Sequence, residues 1–549
     1  MKRTLFALAI LTIFVIANRA ALEGYFSGDD LDNLSWATIM GTSGLIHEFV
    51  TPVFSESNTR PTGALFYRLA GLSFGLDFPR YIPFLFAIHV ANAALLFLLI
   101  RRRQLPEPAT WAATIFFLCH AALLEAWWKP MYIFDLLAAT FCLATWLLFT
   151  TRYWPLALLS FWLAYKSKEV ALFFPVVLAF DNWRRAIPFF AISASFGLQA
   201  LRINATRDST YTLRFNLASL ATTLPFYAKQ AYIDKYGALL LAPLLYFARN
   251  RDVMKSAVGT LALLIPLLFL PARLFSVYLY VPMIPAAVGI AYLFAKIPAK
   301  ALAVGLVLWL GLNFTTLRAK RKTEIAIAQE SRSWVTQLAV ANKSAPLANP
   351  AYYENAPPGL QLYGMVGAVR LITHNPGAEI LDPAKEEDRL RAKDRELPTI
   401  SWFRPTQRLT IIPHSLAEAK LSHLEFQVPS TAWQLKSGFY ELENGFRWTA
   451  PSATLMLAAP KDATAIQVRF NIGQPIIDAV HKIDFKIYVN NQLEGQASFT
   501  ERSIPILTFP LKHPVSGPVE VHLESSPGYT PPADGRTLGV AIIAIGFIE

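Results

Sequence analysis

Cysteine is nearly missing from this chain: its 549 residues hold two, Cys119 and Cys142, both inside apolar runs. That excludes a disulfide framework and a cysteine-based metal site. Charge is scarce too. Charged residues make up 16% and hydrophobic ones 54%, where soluble domains carry ~25% charge. The scarcity is uneven: apolar runs fill the sequence before about residue 318, and ordinary mixed sequence follows. No internal repeat of solenoid length is present. The formal net charge of +12 does not indicate a nucleic-acid partner, because many basic residues flank apolar segments, as the positive-inside rule expects.

Uncharged or nearly uncharged runs lie at 4–18, 81–100, 108–124, 131–151, 153–165, 170–180, 186–201, 237–248, 256–272, 274–295 and 301–317. The first, preceded by Lys2 and Arg3, reads as a retained signal anchor. Lys166-Ser167-Lys168-Glu169 separates two short runs. Counting these as two crossings puts Lys2/Arg3, Arg101 to Arg103, Arg152, Arg184/Arg185, Arg249/Arg251/Lys255 and Lys296/Lys300 on one side. The expectation is a polytopic α-helical membrane protein of about eleven helices, N-terminus cytoplasmic and C-terminus outside. Segments 22–80, 125–130, 166–169, 202–235 and 271–273 then face outward.

Residues 1–318 form the expected membrane domain and 319–435 a connecting region that opens with a charged amphipathic helix at 319–343. The fold of 345–430 is not legible. From 436 to 549, strands at 465–471, 483–489, 518–524 and 538–548 alternate with turns such as Asn490-Asn491. Period-2 alternation between regular turns predicts a β-sandwich of jelly-roll type.

The outer loop 22–80 is longer than a connector requires, and long loops are functional or disordered. It opens on Ser27-Gly28-Asp29-Asp30-Leu31-Asp32-Asn33. Carboxylates at a bilayer surface have no packing rationale and no long stem for snorkelling. As chemistry, Asp29 or Asp30 is a general base toward an acceptor hydroxyl. As structure, Asp30 caps a short surface helix at 31–40 and Asp29 is solvated loop. A calcium loop fails, since its sixth position is not glycine and its twelfth is Gly41. Basic residues on the outward side, Arg60, Arg68, Lys129, Lys166, Lys168, Arg202, Arg207 and Arg273, run against the positive-inside rule and call for an anion. Headgroup anchoring is the plain reading of each one singly. Lys168-Glu169, wedged between apolar runs, stands out because a buried charge needs a partner or a purpose.

Several stretches together resemble a known family. Gly28-Asp29-Asp30 is followed by Arg60-Pro61-Thr62-Gly63-Ala64-Leu65-Phe66-Tyr67, then His89 to Phe97, Lys168-Glu169 through Pro175, and Arg273 with Tyr278-Leu279-Tyr280-Val281-Pro282. Their order resembles GT-C membrane glycosyltransferases, most of all the tetratricopeptide-bearing protein O-mannosyltransferases. The resemblance implies a polyprenyl-phosphate-linked sugar donor, transfer on the non-cytoplasmic side and inversion at the anomeric carbon. It makes Asp29 or Asp30 the base. Arg60, Lys168 and Arg273 would contact the donor phosphate, Glu169 would orient Lys168, and Tyr280 would line the cavity. The acidic pair and phosphate could share a divalent metal, though no metal-ligand spacing supports one.

The tetratricopeptide repeats of that branch are missing. In their place Ser437 to Glu441, Phe446-Arg447-Trp448 and Asp534 to Val540 resemble β-sandwich modules of bacterial envelope glycosyltransferases. That points to an envelope glycan, lipid or protein acceptor and to a bacterial inner membrane with a periplasmic C-terminal domain. The rival readings are a lipid-linked sugar transporter or flippase, and an inactive scaffold carrying a glycan-binding module.

Overall fold

The computed structural model of the protein describes residues 2–53, 60–204, 212–231, 250–383, 385–404, 407–412, 421–427, 434–443, 445–531 and 535–548. The apolar run expected at 237–248, with Arg207, Arg249 and Asp534, lies outside them. The chain forms two units, Met1–Gln329 and Glu330–Glu549.

The first unit is helical. Among the described residues five stretches are long and apolar enough to cross a membrane: Arg3–Glu23, Phe78–Arg102, Glu107–Trp128, Pro130–Phe149 and Ala299–Ser344. Its α-helices are α1 (Lys2–Asn18), α2 (Gly28–Ile39), α3 (Thr42–Val50), α4 (Pro61–Phe74), α5 (Ile82–Arg102), α6 (Glu107–Cys119) and α7 (Leu124–Trp128). They continue as α8 (Ile133–Phe149), α9 (Trp154–Tyr165), α10 (Phe174–Asn204), α11 (Leu217–Gln230), α12 (Arg251–Leu268), α13 (Met283–Phe294) and α14 (Ala299–Ser344).

These helices outnumber the eleven expected, and the reason is physical. Counting uncharged runs finds lipid-compatible segments only, whereas α2, α3 and α4 come from the polar loop 22–80. Merging works in the other direction. Runs 170–180 and 186–201 join as α10, interrupted at Asn182 where the backbone turns extended (φ −158°, ψ 100°). Arg103 holds that break, donating two hydrogen bonds to Asp181 at 2.7 and 2.6 Å, and the Trp146 indole adds a third at 2.7 Å. Likewise the run at 301–317 continues unbroken into the charged helix at 319–343, since its Ala, Lys, Arg, Glu and Gln content favours helix without apolar packing.

The C-terminal unit begins with the segment that sequence leaves unassigned. Strands β1 (Ala351–Glu354), β2 (Ile380–Leu381), β3 (Thr399–Phe403) and β4 (Arg408–Ile412) form a sheet of order β2-β1-β3-β4. β1 runs parallel to β2 and β3. Parallel neighbours need crossovers, which α15 (Gln361–Thr373) and α16 (Glu386–Asp394) supply.

Beyond it lie β5 (His423–Glu425), β6 (Leu435–Glu443), β7 (Phe446–Ala459), β8 (Ala465–Phe470), β9 (Ile483–Val489), β10 (Gln492–Phe499), β11 (Ile506–Pro510), β12 (Gly517–Ser526) and β13 (Ala541–Ile548), with α17 (Gln474–Val480) between β8 and β9. All nine strands belong to one antiparallel sheet, with β10-β9-β12-β7-β13-β8-β11 as its path, β5 added to β13 and β6 to β7. The sheet curls until β10 meets β11, where Gly495 lies against the Phe509 ring. Alternation sets its faces: Val519, Val521 and Leu523 enter the core with Ile487 and Leu455. Asn490 and Asn491 both take positive φ at the β9–β10 turn, as a tight hairpin demands.

Gly438 in β6 has φ +72°, and a Cβ there would strike the Ser452 backbone carbonyl of β7. Backbone cannot give way as a flexible side chain does. Gly438→Ala is expected to destabilise this unit by about 1–3 kcal/mol, read as a lower calorimetric midpoint for the β transition.

Candidate functional site

The acidic stretch owes its shape to local hydrogen bonding. Ser27 precedes α2 in extended backbone, and its hydroxyl accepts from the Asp30 amide. The Asp30 carboxylate accepts in return from the Ser27 amide at 2.7 Å and hydroxyl at 2.6 Å. This reciprocal pair is a capping box. The N-cap of the helix is therefore Ser27, three residues ahead of the expected Asp30. Tyr67 of α4 donates to the other Asp30 oxygen at 2.8 Å, and Asp30 is 0% exposed.

Burial raises the Asp30 carboxyl from its ordinary 3.8 to about 6; the Ser27 and Tyr67 hydrogen bonds oppose this and the Asp29 charge adds to it. A carboxyl raised on folding contributes stability that is complete below the unfolded value and lost as pH rises through the folded one. Between pH 4 and 6 the protein is therefore expected to lose on the order of 3 kcal/mol from this group. Thermal unfolding across that window should show the slope, and Asp30→Asn should remove it.

Asp29 occupies the same first turn, partly exposed. Its backbone carbonyl accepts from Asn33 at 2.6 Å. Among the described residues its carboxylate accepts no hydrogen bond, so its acceptor capacity remains open.

A second group of residues is gathered by the turn after α9. The amide and hydroxyl of Thr62 donate to the Lys166 carbonyl at 3.3 and 3.2 Å, and the hydroxyl also reaches Ser167 at 2.8 Å. Gly63 next to it lies so close to the Phe134 ring that any side chain would collide, which lets α4 approach α8. The stitch brings Arg60 to Glu169, to which it donates through Nε at 3.2 Å and Nη2 at 3.0 Å. Lys168 turns the other way and donates to both oxygens of Asp135 in α8, at 2.8 and 2.7 Å. Their side chains are 14% and 2% exposed.

Tyr278 lies with its ring centroid 4.7 Å from the Lys168 ammonium, and its hydroxyl accepts from Arg273 Nε at 3.3 Å. The turn 130–132 ahead of α8 packs against α2, which carries the acidic stretch. Ser27 also touches Met131 of that turn, Oγ to Sδ 3.1 Å.

Lys168 and Arg273 thus meet on Tyr278, Arg60 lies over the ring of Phe134, next to Asp135 in the chain, and the turn that carries Asp29 borders the group at Met131. Two residues have other roles than sequence assigns. Glu169 is bound to Arg60, and the partner of Lys168 is Asp135. Tyr280 is fully enclosed. Its hydroxyl pairs with His89 Nδ1 at 2.5 Å and accepts from Asn92 at 3.3 Å, while His89 Nε2 faces the Leu118 carbonyl at 3.0 Å. A carbonyl only accepts, so Nε2 carries the hydrogen and Nδ1 receives one from Tyr280. This network fastens α5.

Asp135 is the residue that sequence reasoning passes over. Its signal was available: it is the lone carboxylate in the apolar run 131–151, and such a charge marks a pairing or a site. Among the described residues no group of three or more His, Cys, Asp or Glu side chains is placed to hold a metal ion. No protein-family model matches this chain, and no curated protein matches it.

Proposed function

We propose that the chain is a membrane glycosyltransferase of GT-C type, moving a sugar from a polyprenyl-phosphate-linked donor to an envelope glycan, lipid or protein acceptor. The observation that supports it most is Asp29: a carboxylate with open acceptor capacity, in a turn fixed by the capping box, bordering a cluster of three cations drawn from distant segments.

In this reading the Asp29 carboxylate takes the proton of an acceptor hydroxyl. The acceptor oxygen forms its bond to the anomeric carbon from the face opposite the phosphate, with inversion. The bond between that carbon and the phosphate oxygen breaks, and its electron pair leaves with the polyprenyl phosphate. Asp30 is the positioning residue, holding the turn through Ser27 and Tyr67.

Donor inventory supports the phosphate contacts. An ammonium has three N–H bonds, and Asp135 takes two from Lys168, leaving one. Glu169 engages Nε and Nη2 of Arg60. Asp135 fixes Lys168 in place without exhausting it, so the developing charge meets a preoriented donor. Arg273 adds a third group on the Tyr278 side. The charge pattern around the apolar runs favours the non-cytoplasmic face for this chemistry, and the resemblance to envelope glycosyltransferases makes that the periplasmic face of a bacterial inner membrane.

The test is transfer of radiolabelled sugar from a synthetic polyprenyl-phosphate donor by purified protein in liposomes. Movement of the intact donor across the bilayer without cleavage would identify a flippase instead. Binding without either would identify a scaffold.

A further inference from the structure

The C-terminal unit holds a pocket of its own. Tyr352 and Glu354 of β1, Arg389 of α16, Tyr440 and Glu441 of β6 and Arg447 of β7 line it, and its empty volume is about 490 Å³ with the part open to solvent.

An ion pair forms the floor. Arg447 meets Glu354 with both side chains nearly enclosed, 5% and 6% exposed, and Nη1 of Arg447 donates to the Tyr440 carbonyl at 3.0 Å. Nε of Arg447 and Oε2 of Glu354 are enclosed and have no hydrogen-bond partner among the described residues. A pair taken out of water offsets its desolvation only when its remaining donors and acceptors are met, and buried polar atoms are seldom left unpaired. The pair is enclosed, so a guest would meet the polar groups around it. At the mouth, Arg389 is half-buried and Glu441 exposed. Tyr440 is fixed by its hydroxyl, which donates to the Thr537 carbonyl at 2.9 Å.

The charges among these six residues cancel, two guanidinium groups against two carboxylates. An anion would face Glu354 and Glu441, and a cation would face Arg389 and Arg447. A guest with several hydroxyls suits both kinds of group, because each hydroxyl donates and accepts. Tyrosine rings suit its apolar face. We infer that this pocket binds a neutral pyranose, giving the chain a carbohydrate site separate from the helical one. The inference stands apart from the transfer chemistry and does not use it.

The test is saturation-transfer difference NMR on the full-length protein in lauryldimethylamine oxide, a detergent without a sugar headgroup. The probes are methyl α-D-mannopyranoside, methyl β-D-glucopyranoside, methyl β-D-galactopyranoside and N-acetylglucosamine. At least one should receive saturation at its ring protons, and the signal should fall to background in Arg389→Ala/Glu441→Ala. Both substituted residues are solvent-accessible, and an unchanged melting curve checks the fold. Three outcomes overturn the inference: no signal from any probe, a signal undiminished in the double variant, or a signal abolished by sodium sulfate, which would mark an anion site. Sugar transfer is not a readout here, so the pocket and the transfer reaction fail or stand separately.

Discussion

Lys168→Met is expected to destabilise the helical unit by about 3–5 kcal/mol, because it strands a buried carboxylate. Asp135 is 2% exposed and both of its oxygens are held by the Lys168 ammonium. Water cannot replace that ammonium inside the helices. Removing both charges is a different experiment. In Lys168→Met/Asp135→Leu the desolvation cost disappears with the pair, and buried pairs replaced by apolar residues often come out neutral or more stable. The double variant should thus melt near the wild type while the single variant melts well below it.

Transfer activity then separates two roles that stability alone confounds. If Lys168 contacts donor phosphate, the double variant stays inactive although it is folded. A double variant that transfers sugar at the wild-type rate would show that Lys168 serves packing alone. Both quantities come from one purification of each protein, by differential scanning fluorimetry and by radiolabel transfer.

How much of this site can be read from residue order is instructive. Lys168 and Glu169 are conspicuous as charges between apolar runs, and the pattern around them is local. Their partners are not local. Arg60 reaches Glu169 across 109 positions and Asp135 reaches Lys168 across 33. Adjacency in sequence pairs Glu169 with Lys168; the extended backbone at Lys168 (φ −166°, ψ 145°) sends the two side chains apart.

The acidic stretch shows the reverse error. Asp30 has the composition of an N-cap, yet Ser27 takes that place, and the Ser-x-x-Asp spacing was there to be seen as a near match to the capping-box pattern. Strands at 465–470, 483–489 and 517–526 were legible because one face is core and the other is water. Segment 345–430 was not, since β1 is buried along its whole length and carries no alternation. Helix number failed for a related reason: charge-free runs report compatibility with lipid, whereas α2 is held by its capping box and Tyr67 and α4 by Thr62, not by uniform apolarity.

The strongest discrimination comes from two neighbouring carboxylates with opposite expected behaviour. Asp29→Asn should lower transfer by about 10²–10⁴-fold, the range that general-base catalysis contributes, and should leave the melting temperature unchanged. An amide cannot take the acceptor proton, and among the described residues the Asp29 carboxylate makes no hydrogen bond. Asp30→Asn should act on the fold, and on transfer only through it. It disturbs the acceptor for the Ser27 amide, the Ser27 hydroxyl and Tyr67; losing a buried partner of this kind costs about 1–3 kcal/mol, a loss read by thermal unfolding near pH 4, because at neutral pH it is offset by the roughly 3 kcal/mol that ionising the buried carboxyl costs the wild type. Because Asp30 holds the turn and does not touch substrate, its loss should act through the position of Asp29. Restoring order with saturating donor should then recover part of the Asp30→Asn activity and none of the Asp29→Asn activity. Equal turnover in wild type and Asp29→Asn would remove the base from the mechanism, and with it the reason for reading the open carboxylate as chemistry.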